Sequence, residues 1–133
     1  MDDVILNKIN TVLRCIDRVN EEYQKAGKDF LTDYSRQDAS ILNIQRAVEA
    51  CIDISNRLVK LNNLGVTKSA RESFELLKKQ NIIEENTAIK MQKMIGFRNI
   101  AVHDYQMMNV NILEAVIQKH LVDFEVFLKE VTK

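Results

Sequence analysis

Within eight residues the chain carries Arg98, His103 and Tyr105, the pattern Arg-x4-His-x-Tyr inside Gly96-Phe97-Arg98-Asn99-Ile100-Ala101-Val102-His103-Asp104-Tyr105. The three side chains supply complementary chemistry. Arginine is a permanent cation whose forked donors match a phosphate, imidazole moves protons near neutral pH, and a phenol can donate or accept a group. Together they point to work on a phosphodiester. The bland reading is an arginine and a histidine in surface ion pairs or capping carbonyls, with Tyr105 on an amphipathic rim.

Helical geometry sharpens the first reading. At about 100° per residue, Arg98 and Tyr105 share one face, Asn99 and His103 share another, and His103 lies roughly 140° around from Arg98. One straight helix therefore cannot aim all three at a single atom. Either the helix ends or unwinds near Ala101 to His103, or two copies of the chain build the site. A homodimer with the motif near its two-fold axis would bring two arginines and two histidines together.

The elements that must position these residues read as helical nearly throughout, because proline is absent and only Gly27, Gly65 and Gly96 interrupt the pattern. A first helix is expected over about Asp3 to Ala26, with the stripe Ile5, Ile9, Val12, Ile16, Val19 and Tyr23 and a stop at Gly27. A second runs from about Arg36 to Asn63 on Ile41, Ile44, Val48, Cys51, Ser55 and Leu58. A shorter one, about Ser69 to Gln80, bears Phe74 and Leu77 and has Thr67 or Ser69 as its cap. The motif helix starts near Glu84 and runs toward His103. Asn111 and Glu114 have capping-box spacing for one last helix carrying Leu113, Ile117, Leu121, Phe124, Leu128 and Val131. Four long helices and a short one predict an all-α antiparallel four-helix bundle with an additional short helix. Gly96 costs about 1 kcal/mol against alanine in a helix, so it either admits a closely packed helix beside the motif or is simply tolerated.

Composition sets bounds. A chain of 133 residues fits one domain, and 46% apolar with 29% charged residues fits a soluble globular protein. No apolar run approaches a membrane span, and Met1-Asp2-Asp3 lacks the basic start of a signal peptide, so a cytoplasmic location is expected. Cys15 and Cys51 lie in apolar helical stripes without metal-ligand spacing and read as buried thiols. Met91, Met94, Met107 and Met108 around the motif read as core or interface filler. The net charge is zero but uneven: residues 57–98 hold nine Lys or Arg against four acids, while both flanks are acidic. That block, with Lys60, Lys68, Arg71, Lys78, Lys79, Lys90 and Lys93, leads into Arg98 and forms either a phosphate-tracking path or a solvated face.

From Asp38 to Tyr105 the chain resembles the HepT family of HEPN-domain toxins, whose partners are MNT-type minimal nucleotidyltransferase antitoxins. The matching stretches are Gln45-Arg46-Ala47-Val48-Glu49-Ala50-Cys51-Ile52-Asp53-Ile54, Ser73-Phe74-Glu75-Leu76-Leu77, Ile82-Ile83, and Met94 through Tyr105 with its Arg-x4-His-x-Tyr block. A proline common in the family near Thr67 is missing here. The resemblance implies a single HEPN domain over residues 1–133 acting as the toxin of a toxin–antitoxin pair. Its expected activity is that of a metal-independent endoribonuclease on tRNA or other translation-related RNA, with no cofactor. Resemblance and local chemistry together assign Arg98 to the phosphate, His103 to proton transfer, and Asn99 and Tyr105 to support, with the RNA 2′-hydroxyl as nucleophile. The resemblance also implies that the nucleotidyltransferase antitoxin adenylylates the Tyr105 hydroxyl. Asp104 could orient His103 of a partner chain or simply be solvated. The alternative is a noncatalytic HEPN module that binds a nucleotide or protein; such modules usually lose the Arg or the His, and this chain keeps both.

Overall fold

The structure is a computed structural model that describes residues 2–133. Helices α1 (Asp3–Ala26) and α2 (Tyr34–Leu61) form a long antiparallel pair, followed by α3 (Ala70–Lys79), the motif helix α4 (Glu85–His103), α5 (Val110–Lys119) and α6 (Leu121–Val131). The all-α fold class expected from the sequence is the one observed. Ile5, Val12, Cys15, Ile16 and Val19 of α1 meet Ile41, Ile44, Val48, Cys51 and Ile54 of α2 in one buried cluster. Both cysteines are buried free thiols, and burial pushes their pKa values up.

The helix ends follow from local chemistry. Asp2 caps α1 by accepting from the Ile5 N–H at 3.1 Å, and the same carboxylate takes Arg57 Nη2 at 2.9 Å, tying the start of α1 to the far half of α2. That Arg57 contact holds the Asp2 carboxyl below its ordinary range. Gly27, at φ +56°, ends α1 in a conformation that a Cβ disfavours. Phe30 then folds under the turn, edge-on to Tyr23 at 4.9 Å, and Asp33 caps α2 through the Arg36 N–H. Ser69 caps α3 by accepting from Glu72.

Two details differ from the sequence expectations. Asn111 and Glu114 form no capping box: α5 is capped by Asn109, whose side chain accepts from the Asn111 N–H at 2.8 Å, while Glu114 accepts from the Tyr23 hydroxyl at 3.0 Å. The last helix is also not continuous. His120 leaves helical geometry at φ −120°, ending α5 and starting α6. Its Nδ1 lies 3.0 Å from Asp123 Oδ2, and Lys90 Nζ lies 3.5 Å from Asp123 Oδ1, so an acid only 4% exposed is held by groups from α4 and the helix junction. With neither glycine nor proline at the break, helical periodicity ran through it. The kink turns Phe124, Phe127 and Leu128 onto α4 and α3, where Phe127 meets Phe74 edge-on at 5.6 Å.

Helix α4 packs on α2, α3 and α6, burying Thr87, Ala88, Met91, Met94, Ile95, Phe97 and Ala101. Gly96 admits no neighbouring helix: a Cβ built on it meets nothing within 4 Å. The close approach considered from the sequence is therefore absent within one chain. Gly96→Ala is expected to raise stability by about 1 kcal/mol, read as a higher urea midpoint at unchanged slope. A lower midpoint would mean that a second molecule covers this surface.

Candidate active site

The motif occupies the last turns of α4 and the 3-10 turn Tyr105–Met107 after it. Helix α4 continues through His103, with the Asp104 N–H closing on the Ile100 carbonyl at 2.9 Å. It does not unwind between Ala101 and His103. Arg98 and His103 therefore stay roughly 140° apart on one rigid helix, and a single chain does not bring them together. Asn99 and His103 are both exposed and share a face, as expected from their spacing. Asp104 is exposed as well.

Arg98 is half-buried, and its Nε is fully shielded without a hydrogen-bond partner. No carboxylate among the described residues lies within salt-bridge distance of it. A guanidinium removed in part from water and left without a counter-charge is costly unless an anion visits it.

Tyr105 leaves the helix, so it does not share the Arg98 face as a continuous helix would require. The turn Tyr105–Met107, held by Met107 N–H on Asp104 O and Met108 N–H on Tyr105 O, swings the ring toward α2. There its hydroxyl donates a hydrogen bond to Asp38 Oδ1. Burial, then the Asp38 hydrogen bond and charge, push the phenol pKa up to about 12. Asp38 is the contact that sequence reasoning missed. It stands 67 residues from Tyr105, and no spacing rule links an acid near the start of one helix to a phenol beyond the end of another.

An apolar groove lies beside the motif without containing it. About 300 Å³ in volume, it runs between α4 and α5 and is lined among others by Lys93, Phe97, Ile100, Met107 and Ile112, with Lys90 and His120 at its polar end. Phe97 and Asn99 point about 200° apart around α4, so the groove and the Asn99–His103 face look away from each other. Of the basic residues preceding Arg98, Lys90 and Lys93 gather here, whereas Lys60 and Lys78 line separate depressions. The basic block is not one continuous path. Met91 and Met94 are core, while Met107 is 68% exposed at the groove edge.

The fold and motif are those of a helical HEPN ribonuclease, and comparison with known proteins agrees. The family model for ribonuclease HepT-like proteins matches residues 12–131. A relative from Shewanella oneidensis, the mRNA nuclease HepT, is 48% identical over 128 residues, 96% of each chain. Among solved structures, the tri-AMPylated Shewanella oneidensis HEPN toxin in complex with MNT antitoxin superposes with a TM-score of 0.94 at 45% identity, covering 99% of this chain and 98% of that one. A toxin–antitoxin structure with AMP-PNP gives 0.93 at 45% identity over 98% and 99%. The chain belongs to the HepT-like ribonuclease family.

The Asp38 contact makes a titration prediction. Because the folded-state pKa of Tyr105, about 12, lies above the ordinary 10.0, the protonated phenol favours the fold. Its contribution is complete below pH 10 and is lost as pH rises through 12. Ultraviolet difference titration against Tyr105→Phe should therefore show phenolate appearing near pH 12, and Asp38→Ala should return part of that shift toward 10. An unchanged curve in Asp38→Ala would leave burial as the whole cause.

Proposed function

We propose that this ribonuclease is a single-domain toxin, residues 1–133, that cleaves RNA without a metal and is silenced by a nucleotidyltransferase antitoxin. The carrying observation is Arg98: a half-buried guanidinium without a counter-ion, five residues from an exposed imidazole on an unbroken helix. Arg98 holds the equatorial phosphate oxygens and stabilises the charge that builds on them. The RNA 2′-oxygen attacks the adjacent phosphorus, its proton passes to one imidazole, and the expelled 5′-oxygen takes a proton from another. A cyclic phosphate and a 5′-hydroxyl result. Asn99, one turn before His103 on the same face, orients the imidazole or a phosphate oxygen.

His120, the other imidazole of the chain, is engaged with Asp123, so a pair of His103 imidazoles requires two chains, and the rigid separation of Arg98 from His103 requires the same. A homodimer with both α4 ends at the two-fold axis meets both needs. The exposed apolar side chains there, Ile100, Val102, Met107 and Ile112, suit a covered surface. The substrate is RNA of the translation apparatus: the resemblance favours tRNA, and the Shewanella relative is named an mRNA nuclease. Tyr105 is the acceptor of adenylyl groups from the antitoxin, a reading supported by the tri-AMPylated structural neighbour and its MNT partner. The added phosphate competes with RNA for Arg98 by charge and bulk.

Arg98→Ala and His103→Ala are each expected to lower cleavage at least about a hundredfold with melting temperature unchanged. Arg98→Lys should recover little, because an ammonium lacks the fork. End sequencing of RNA from cells expressing the chain alone identifies the substrate. Activity that a chelator abolishes and magnesium restores, or cleavage at a deoxyribose, would overturn the mechanism.

Assembly is tested separately. Light scattering at micromolar concentration should give a mass near twice the 15.4 kDa chain. A monomer that still cleaves RNA would reject the two-chain site.

A further inference from the structure

The RNA-cleavage scheme leaves one close contact of the motif unused. Asp38 projects from the second turn of α2, and its carboxylate accepts a hydrogen bond from the Tyr105 hydroxyl. Both residues are exposed, Tyr105 at 46%, so a second protein carrying a nucleotide can reach the phenol oxygen while Asp38 still holds its proton. No basic group among the described residues is ion-paired to Asp38. Its second oxygen remains open to solvent or to an arriving proton.

From this juxtaposition we propose that Asp38 is the base for modification of Tyr105, taking the phenol proton as the hydroxyl attacks the α-phosphorus of a nucleoside triphosphate. The inference rests on the reading of Tyr105 as the adenylyl acceptor. In the step, a lone pair on the Tyr105 oxygen forms the new O–P bond. The bond from the α-phosphorus to the bridging oxygen breaks, and its electron pair leaves with pyrophosphate. The phenol proton passes to the Asp38 carboxylate and from there to water. The toxin thereby supplies one of the groups that inactivate it.

The timing follows from the acidities. A phenol held near pKa 12 is not ionised at neutral pH, so the proton moves as the O–P bond forms rather than before. Once the ester exists the oxygen has no proton to donate, and a phosphodiester anion stands beside the Asp38 carboxylate. Like charges at that range repel. The bond tying the Tyr105–Met107 turn to α2 is lost, and the new group is driven away from α2.

The test uses the chain in a His103→Ala background, which permits expression without its partner, mixed with the cognate nucleotidyltransferase and magnesium ATP. Intact-mass spectrometry follows the first addition between pH 6 and 10. Asp38→Asn retains an acceptor oxygen but cannot take a proton. It should slow the first addition by about a hundredfold or more at pH 7 and make the rate climb roughly tenfold per pH unit, as when phenolate must form first. The parent rate should be flat over that range, and Asp38→Glu should restore much of the flat profile. If Asp38→Asn fails to fold or to bind the transferase, the Asp38→Glu profile decides by itself: a steep pH dependence there overturns the proposal. So does an Asp38→Asn rate within a few-fold of the parent, or one lowered equally at every pH, which marks a merely positioning role. Tyr105→Phe separates the two readings, because undiminished labelling there refutes Tyr105 as acceptor whatever Asp38 does.

Discussion

Helix α4 is where the requirements of the core and of the site meet. Over its first three turns α2, α3 and α6 cover one side of it, burying Thr87, Ala88, Met91, Met94 and Ile95, so it cannot rotate or bend without opening the bundle. Its last turns extend past that cover, leaving Asn99, Ile100, Val102 and His103 exposed. The packed half thus fixes the direction in which the free half presents the motif. The chemistry is mounted on a rigid helix end rather than on a loop, which keeps the Arg98 to His103 angle constant and makes convergence within one chain impossible.

The electrostatics at this end are arranged by what is left unpaired. Several charges elsewhere find partners: Arg36 and Arg18 with Glu22, Lys8 with Asp53, Arg57 with Asp2, Lys90 with Asp123. In the acidic first helix Glu21 and Glu22 likewise pair with neighbouring cations. Arg98 has no such partner among the described residues, and Asp38, the acid that touches the motif, is engaged with the Tyr105 phenol. A carboxylate on Arg98 would neutralise the site and exclude phosphate. Occupying Asp38 with Tyr105 keeps an acid near the motif without that cost.

Much of this was legible in the sequence, because the signals were local. The boundaries of α1 and α3 follow from Gly27, Ser69 and uninterrupted apolar stripes, and the Arg-x4-His-x-Tyr spacing located the candidate site within one segment. What was not legible depended on contacts between distant segments. The break at His120 arises from a buried Asp123 shared with Lys90 of α4, and Glu114 leaves the predicted cap for Tyr23, 91 residues away. Helical periodicity registers neither. Tyr105 was placed on the Arg98 face by extending the helix past its end. The Asp104 backbone, at φ −149° and ψ 53°, sends it to α2 instead.

That displacement gives Tyr105 a role that a helical position would deny it. On a continuing helix the phenol would share the Arg98 face. Turned toward α2, it leaves that face and keeps its hydroxyl exposed beside Asp38. Under the proposed modification, an adenylyl phosphate on Tyr105 would be an anion of the kind Arg98 lacks, and repulsion from Asp38 would disfavour its lying along α2. The short turn after α4 thus separates the unmodified phenol from the helix end that carries Arg98 and His103.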